Sequence, residues 1–329
     1  MLKFQILFFL SCMSSLYSDF TFITKEGKTL LSSDKIEKME RENEWMNSSD
    51  YYTNPLQMID CTGTYYPQRS NNYRKIPSKY ITFKGFDHGH FFDRKSDKLV
   101  IVIPPFKACC KDIVRFAAIY KEYDILLLSS GSDITIKKAL AWAYHERTYT
   151  TVIGSALCYG AINTLKVQKE YEQLHKKAFD ILVIDSCPSS YKDMLYNIGI
   201  NPVGVISFGT YDSPWLLKKI TDLSFVRKVL SCITFPLSYL TCLADYIKNI
   251  TIPILYVVGR EDYLVTEKQF IGYFNASQHP LSSALVTPFR HIRHSLKCKE
   301  IYRLVVKKYI ETVLTKSEIV CAKKMNAAK

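Results

Sequence analysis

The chain has 329 residues, 47% of them hydrophobic, which is enough to bury one large core or two modest ones. No window reaches the ~18 consecutive apolar residues of a membrane-crossing helix. The net charge of +13 comes from 44 basic and 31 acidic residues, but the basic ones are scattered in pairs such as Lys137-Lys138, Lys218-Lys219 and Lys307-Lys308. No zinc knuckle, aromatic RNA-binding motif or helix-turn-helix signature accompanies them, so no nucleic-acid partner is expected. A diffuse positive excess of this kind suits association with an acidic membrane surface.

The N-terminus has the order of a secretory signal. Lys3 supplies the charge, residues 4–10 the apolar core, and residues 11–18 are small and semi-polar. A signal peptide over 1–18 is expected, and with it export to a secreted, periplasmic or membrane-surface location. The alternative is a buried N-terminal helix in a cytoplasmic protein. Cys12, preceded by Phe9-Leu10-Ser11, loosely resembles a lipoprotein cleavage box. Asn47, Asn249 and Asn275 sit in Asn-x-Ser/Thr sites, which matter only in an exported protein.

Residues 19–75 read as an extension around the main domain, with a polar helix over 34–45 and loop from 47 to 74. Residues 79–83 and 90–93 flank Gly85 and Gly89 as an antiparallel hairpin. His88 and His90 lie there without a third metal ligand nearby and read as surface histidines.

From Lys98 the chain alternates strand and helix. Strands are expected over 99–103 (LVIVI), 124–128 (DILLL), 150–153, 179–184 (FDILVI), 252–258 (IPILYVV) and 285–289. Helices are expected over 112–123, 133–149, 160–177, 266–275 and 296–314. Continuous apolar strands with short helical connections indicate an α/β chain: a mostly parallel, doubly wound sheet covered on both faces. The rhythm breaks between about 189 and 250, where apolar residues recur at helical spacing around Trp215, Phe225, Phe235 and Tyr239. That stretch reads as an inserted helical cap over the C-terminal edge of the sheet, where ligands bind. Residues 316–329 are expected as a basic, mobile tail.

The stretch Ala156-Leu157-Cys158-Tyr159-Gly160 lies between a β-branched strand and a helix. It has the pattern small-x-nucleophile-x-small, in which small residues relieve the crowding of a sharp strand-to-helix turn. Such a turn exposes Cys158 near a helix N-terminus, which favours a thiolate. Ser155 sits too early in the turn for the same role. The ten cysteines contain no CxxC pair or metal-finger spacing, and the sequence assigns no disulfide. If Cys12 leaves with a signal, nine remain, so at least one is unpaired within the chain.

An elbow, then an acid after a later strand, then a histidine after the last strand resembles the α/β-hydrolase fold over about residues 76–315. The resemblance implies Cys158 as nucleophile, Asp262 in the turn GREDYLV as acid, and His294 before the last helix as base. His291, three residues earlier, and Asp185, after the preceding strand, are the alternates. The oxyanion donors it implies are the backbone N–H groups of Tyr159 and Phe106, with Pro104-Pro105 standing where the family tends to show His-Gly. The expected reaction is hydrolysis or transfer of an acyl group from an ester or thioester through an acyl-Cys158 intermediate. The substrate would be a small-molecule or lipid-like acyl compound, and the chemistry needs no metal or organic cofactor. A catalytically inactive, exported binding or interaction protein using the same pocket is the alternative.

Overall fold

The computed structural model describes residues 20–30, 58–59, 65–66, 79–82, 88–105, 116–189, 243–260, 262, 264–289, 291, 294 and 299–327. The short strands β1 (Thr21–Ile23) and β2 (Lys28–Leu30) come first, and β3 (Met58–Ile59) pairs with β4 (Tyr65–Tyr66) in a separate ribbon. The hairpin β5 (Lys79–Thr82) and β6 (His88–Phe92) precedes the alternating part. There β7 (Lys98–Ile103), α1 (Phe116–Ile119), β8 (Asp124–Leu128), α2 (Asp133–Glu146), β9 (Thr151–Leu157), α3 (Tyr159–Gln173) and β10 (Ile181–Asp185) follow one another. The chain ends with α4 (Leu243–Ile247), β11 (Ile254–Gly259), α5 (Glu267–Ala276), β12 (Ser283–Thr287) and α6 (Lys299–Ala327).

Ten strands form one sheet in the order β2-β1-β12-β11-β10-β9-β7-β8-β6-β5. The block from β8 to β12 is parallel, and the outer strands on both sides are antiparallel. Apolar runs in the parallel block are continuous because each strand is covered twice. Leu99, Ile101 and Ile103 of β7 pack into one core with Leu140 of α2, Leu165 of α3 and Phe270 of α5. Val100 and Val102 face the opposite core, with Phe116 of α1 and Tyr302, Tyr309 and Ile310 of α6.

The order also says where a ligand belongs. The chain leaves β7 in one direction to make β8, then returns to place β9 on the other side of β7. Connections that diverge in this way open a crevice at the C-terminal ends of the two strands. β7 ends at Ile103-Pro104-Pro105 and β9 at Leu157-Cys158. Their approach is close: a Cβ on Gly160 or on Gly131 would collide with the Pro104 carbonyl oxygen.

Several expectations shift. Part of the N-terminal extension belongs to the sheet, because β1 pairs antiparallel with β12, placing Phe22 opposite Leu285. The expected tail is instead a continuation of α6 to Ala327, since residues 315–327 hold no glycine or proline to stop a helix. The polar helix over 34–45 and the cap between 190 and 242 lie outside the described residues. No described helix is long and apolar enough to cross a membrane.

Two glycine substitutions separate close packing from helix propensity. Gly160→Ala forces a methyl against the Pro104 backbone and should cost at least about 2 kcal/mol in denaturant unfolding. Gly272→Ala, inside α5 with open space around the new methyl, should raise stability by about 0.5–1 kcal/mol. Equal effects at the two sites would contradict the close approach at the elbow.

Candidate active site

Only Cys158 separates β9 from α3, so one residue must turn the chain from strand to helix. It does so at φ 49° and ψ −117°, a region that costs a non-glycine residue about 1–3 kcal/mol and persists only where its surroundings over-determine it. The Cys158 N–H donates to the Asp185 carbonyl at 2.9 Å, and the Cys158 carbonyl accepts the Ala161 N–H at 3.1 Å. The thiol therefore stands at the N-terminus of a 15-residue helix, where the dipole favours negative charge. The Tyr159 N–H occupies the first helical position, where backbone amides have no acceptor within the helix. Phe106, the second expected oxyanion donor, lies outside the described residues.

Asp262 sits in the turn after β11, its N–H donating to the Gly259 carbonyl at 3.1 Å. Its Oδ1 accepts the Leu264 and Val265 amides at 2.8 and 3.0 Å, which fixes the carboxylate. Both carboxylate oxygens face Nδ1 of His291, at 3.0 and 2.9 Å. His291 is buried, and burial alone would lower its pKa. The charge of the Asp262 carboxylate, with that of Cys158 nearby, outweighs burial and holds the pKa well above the usual histidine value.

His294, the histidine expected opposite the acid, is placed elsewhere. Its Nδ1 lies 2.6 Å from the Thr287 hydroxyl and its Nε2 2.9 Å from the Ser186 hydroxyl. Asp185, the alternate acid, gives its Oδ1 to the Ser186 O–H at 2.9 Å and is 3.4 Å from His294 Nε2. Burial, helped by the neighbouring His291, outweighs Asp185 and Asp262 and lowers the His294 pKa, which favours the neutral ring. The structure thus brings Asp262 to His291 and Asp185 to His294. The exchange has a simple cause: β12 ends at Thr287, two residues before the expected end at 289, so His291 rather than His294 reaches the acid turn.

Ser155 is turned away from the crevice, its Oγ accepting the buried Tyr120 hydroxyl at 2.9 Å. Ser186 and Thr287 were not singled out from the sequence. Each is simply a small polar residue at the end of an apolar strand, and Ser186 also carries a positive φ of 51° that no sequence pattern announces. Among the described residues no group of three or more His, Cys, Asp or Glu side chains is arranged to hold a metal ion.

No protein-family model matches the chain, and no curated protein matches its sequence. Similar solved structures are found at low identity. The esterase Pf2001 of Pyrococcus furiosus superposes with a TM-score of 0.55 at 17% identity, over 75% of this chain and 97% of that one. A membrane phospholipase A described as a bacterial virulence factor gives 0.51 at 10% identity, over 72% and 86%. A thermophilic esterase of Thermogutta terrifontis gives 0.50 at 12% identity, over 72% and 99%. With the strand order, the single-residue elbow and these likenesses together, the chain has the α/β-hydrolase fold.

Proposed function

We propose that this protein hydrolyses or transfers the acyl group of an ester or thioester, with Cys158 as nucleophile, His291 as base and acid, and Asp262 orienting His291. The observation that carries the reading is the double contact of Asp262 with His291 Nδ1, at 2.9 and 3.0 Å, on the loop that follows β12. His294 and Asp185, which hydrogen-bond elsewhere, take no part in proton transfer under this assignment.

The upward direction of the His291 pKa fits cysteine rather than serine chemistry. A serine hydroxyl needs a neutral imidazole to take its proton as it attacks, whereas a thiol can give its proton up beforehand. In the proposed cycle the Cys158 proton passes to His291 Nε2 and the thiolate attacks the acyl carbon. The oxyanion is held by the Tyr159 N–H and by a donor from the loop after β7, in which Phe106 is the expected group. His291 returns the proton to the departing alcohol or thiol as its bond to the acyl carbon breaks. A water then loses a proton to His291, attacks the acyl-Cys158 and expels the thiolate. Two esterases and a phospholipase A with similar folds support an ester-directed reading and a small or lipid-like acyl substrate.

A second reading, an exported binding protein that has lost turnover, is favoured by one observation. Cys158 is only 2% exposed, which leaves the sulfur little open access. Export itself is proposed through removal of residues 1–18, with the +13 charge drawing the protein to an anionic membrane surface. The N-terminal residue of the protein recovered from its native cells tests this. A chain starting at 19 supports export, and one starting at Met1 opposes it.

Turnover of chromogenic acyl esters and thioesters should fall at least ~10³-fold in Cys158→Ala while the unfolding temperature is kept. Activity that survives the change would remove Cys158 from the mechanism, and a folded wild-type protein without turnover would favour the binding reading. The pH profile supplies a second check. Because the His291 pKa is raised, kcat/KM should hold through neutral pH and fall only as the pH climbs through that raised value. Asp262→Asn removes a charge that raises it, so the alkaline limb should move to lower pH. An unmoved limb would separate Asp262 from His291 function.

A further inference from the structure

His291 and His294 occupy one loop, yet only the first faces the acid. We propose that His294 is a positioning residue, which holds His291 in line with Cys158 and Asp262 by joining the three loops that carry them. The inference rests on the acyl-transfer reading above.

Each of the three loops meets the His294 ring. The base loop is closed by it, since Thr287 ends β12 and the 2.6 Å contact between its hydroxyl and Nδ1 ties the two ends of the span 288–293, with His291 inside. The nucleophile loop is reached through Ser186, which lies 2.9 Å from Nε2 and directly follows Asp185, whose carbonyl accepts the Cys158 N–H at 2.9 Å. The acid turn is met by packing. Cε1 of His294 would lie 3.0 Å from a Cβ on Gly259, whose carbonyl accepts the Asp262 N–H at 3.1 Å. The Phe289 carbonyl crowds the same glycine, so a side chain at 259 would push the base loop off the acid turn.

Proton directions along this network are consistent with one another. The Ser186 hydroxyl donates to Asp185 Oδ1, so the Ser186 oxygen accepts from His294 Nε2–H. Nδ1 of the neutral ring then accepts from the Thr287 hydroxyl, whose oxygen also receives the Phe289 N–H at 3.3 Å. Donation runs from Thr287 through His294 and Ser186 to Asp185, which selects one tautomer and one ring orientation. Burial, which lowers the His294 pKa, favours the neutral ring this order needs. The two ring nitrogens of His294 are engaged by Ser186 and Thr287, so its effect passes through His291.

The test uses the full chain and reads Cys158 directly, by the rate of alkylation with iodoacetamide against pH, alongside kcat, KM and the unfolding temperature. His294→Phe fills the space without hydrogen bonds. It should slow Cys158 alkylation at neutral pH by about tenfold or more and lower kcat by up to ~100-fold with KM nearly unchanged, because the pair is misaligned rather than the pocket lost. His294→Gln, whose amide reaches the Nε2 position, should recover most of both. Thr287→Val, nearly isosteric, should show a smaller loss of the same kind and stands in for His294→Phe if that variant does not fold. A folded His294→Phe or Thr287→Val with the wild-type alkylation profile and kcat, whatever its unfolding temperature, overturns the proposal. If wild-type Cys158 alkylates like an ordinary free thiol, the catalytic reading fails as well, and the inference falls with it.

Discussion

The backbone at Cys158 is bent into a conformation that a cysteine adopts only under constraint, and the arrangement at the C-terminal edge of the sheet follows from that bend. β9 lies between β7 and β10, so the residues before Cys158 are hydrogen-bonded on both sides. α3 begins at the next residue, and Gly160 lets its first turn press against the Pro104 carbonyl. Strand ladder, helix and missing Cβ together offset the ~1–3 kcal/mol of strain. Relaxing any one would let the turn open and carry the sulfur away from the helix N-terminus. The same close approach places Pro104, at the end of β7, beside the elbow, at the crevice between the C-terminal ends of β7 and β9.

Two buried histidines three residues apart show how neighbours decide charge. Burial pushes both toward the neutral form. At His291 a carboxylate lies in direct contact with Nδ1 through both oxygens, and Cys158 adds to its pull, so attraction wins. At His294 the Asp185 Oδ1 is 3.4 Å from Nε2 and accepts the Ser186 hydroxyl, while the ring nitrogens meet the uncharged hydroxyls of Ser186 and Thr287. The neighbouring His291 opposes a second positive charge as well, so desolvation wins. A charged ring suits proton delivery to a leaving group. A neutral one suits a hydrogen-bond link that must both donate and accept.

Much of this was legible in the residues. Continuous apolar runs such as LVIVI and DILLL can be satisfied only by strands covered on both faces, and Ala156-Leu157-Cys158-Tyr159-Gly160 marks the turn because sterics demand small residues there. The acid turn was legible too, since GREDYLV follows directly on a buried strand. The histidine was legible only as a choice between His294 and its alternate His291, and what decides it is Pro288. The apolar Phe289 suggested a strand running to 289, but proline has no N–H for the ladder, and β12 stops at Thr287. That two-residue difference decides which histidine reaches Asp262. β1 and β2 escaped notice because three residues are too few to carry a period, and their place in the sheet comes from pairing with β12 rather than from local preference. Phe106 and most of the cap lie outside the described residues, so the oxyanion loop and substrate pocket stand as sequence expectations.

The central claim is that the acyl group passes through the sulfur of Cys158. Rapid acid quench of the protein during ester turnover, followed by peptide mass mapping, addresses it most directly. The account predicts an acyl mass increment on the peptide holding Cys158, released by hydroxylamine as a thioester is. An increment on Ser155 or Ser186, or steady turnover with no covalent species on Cys158, would contradict it.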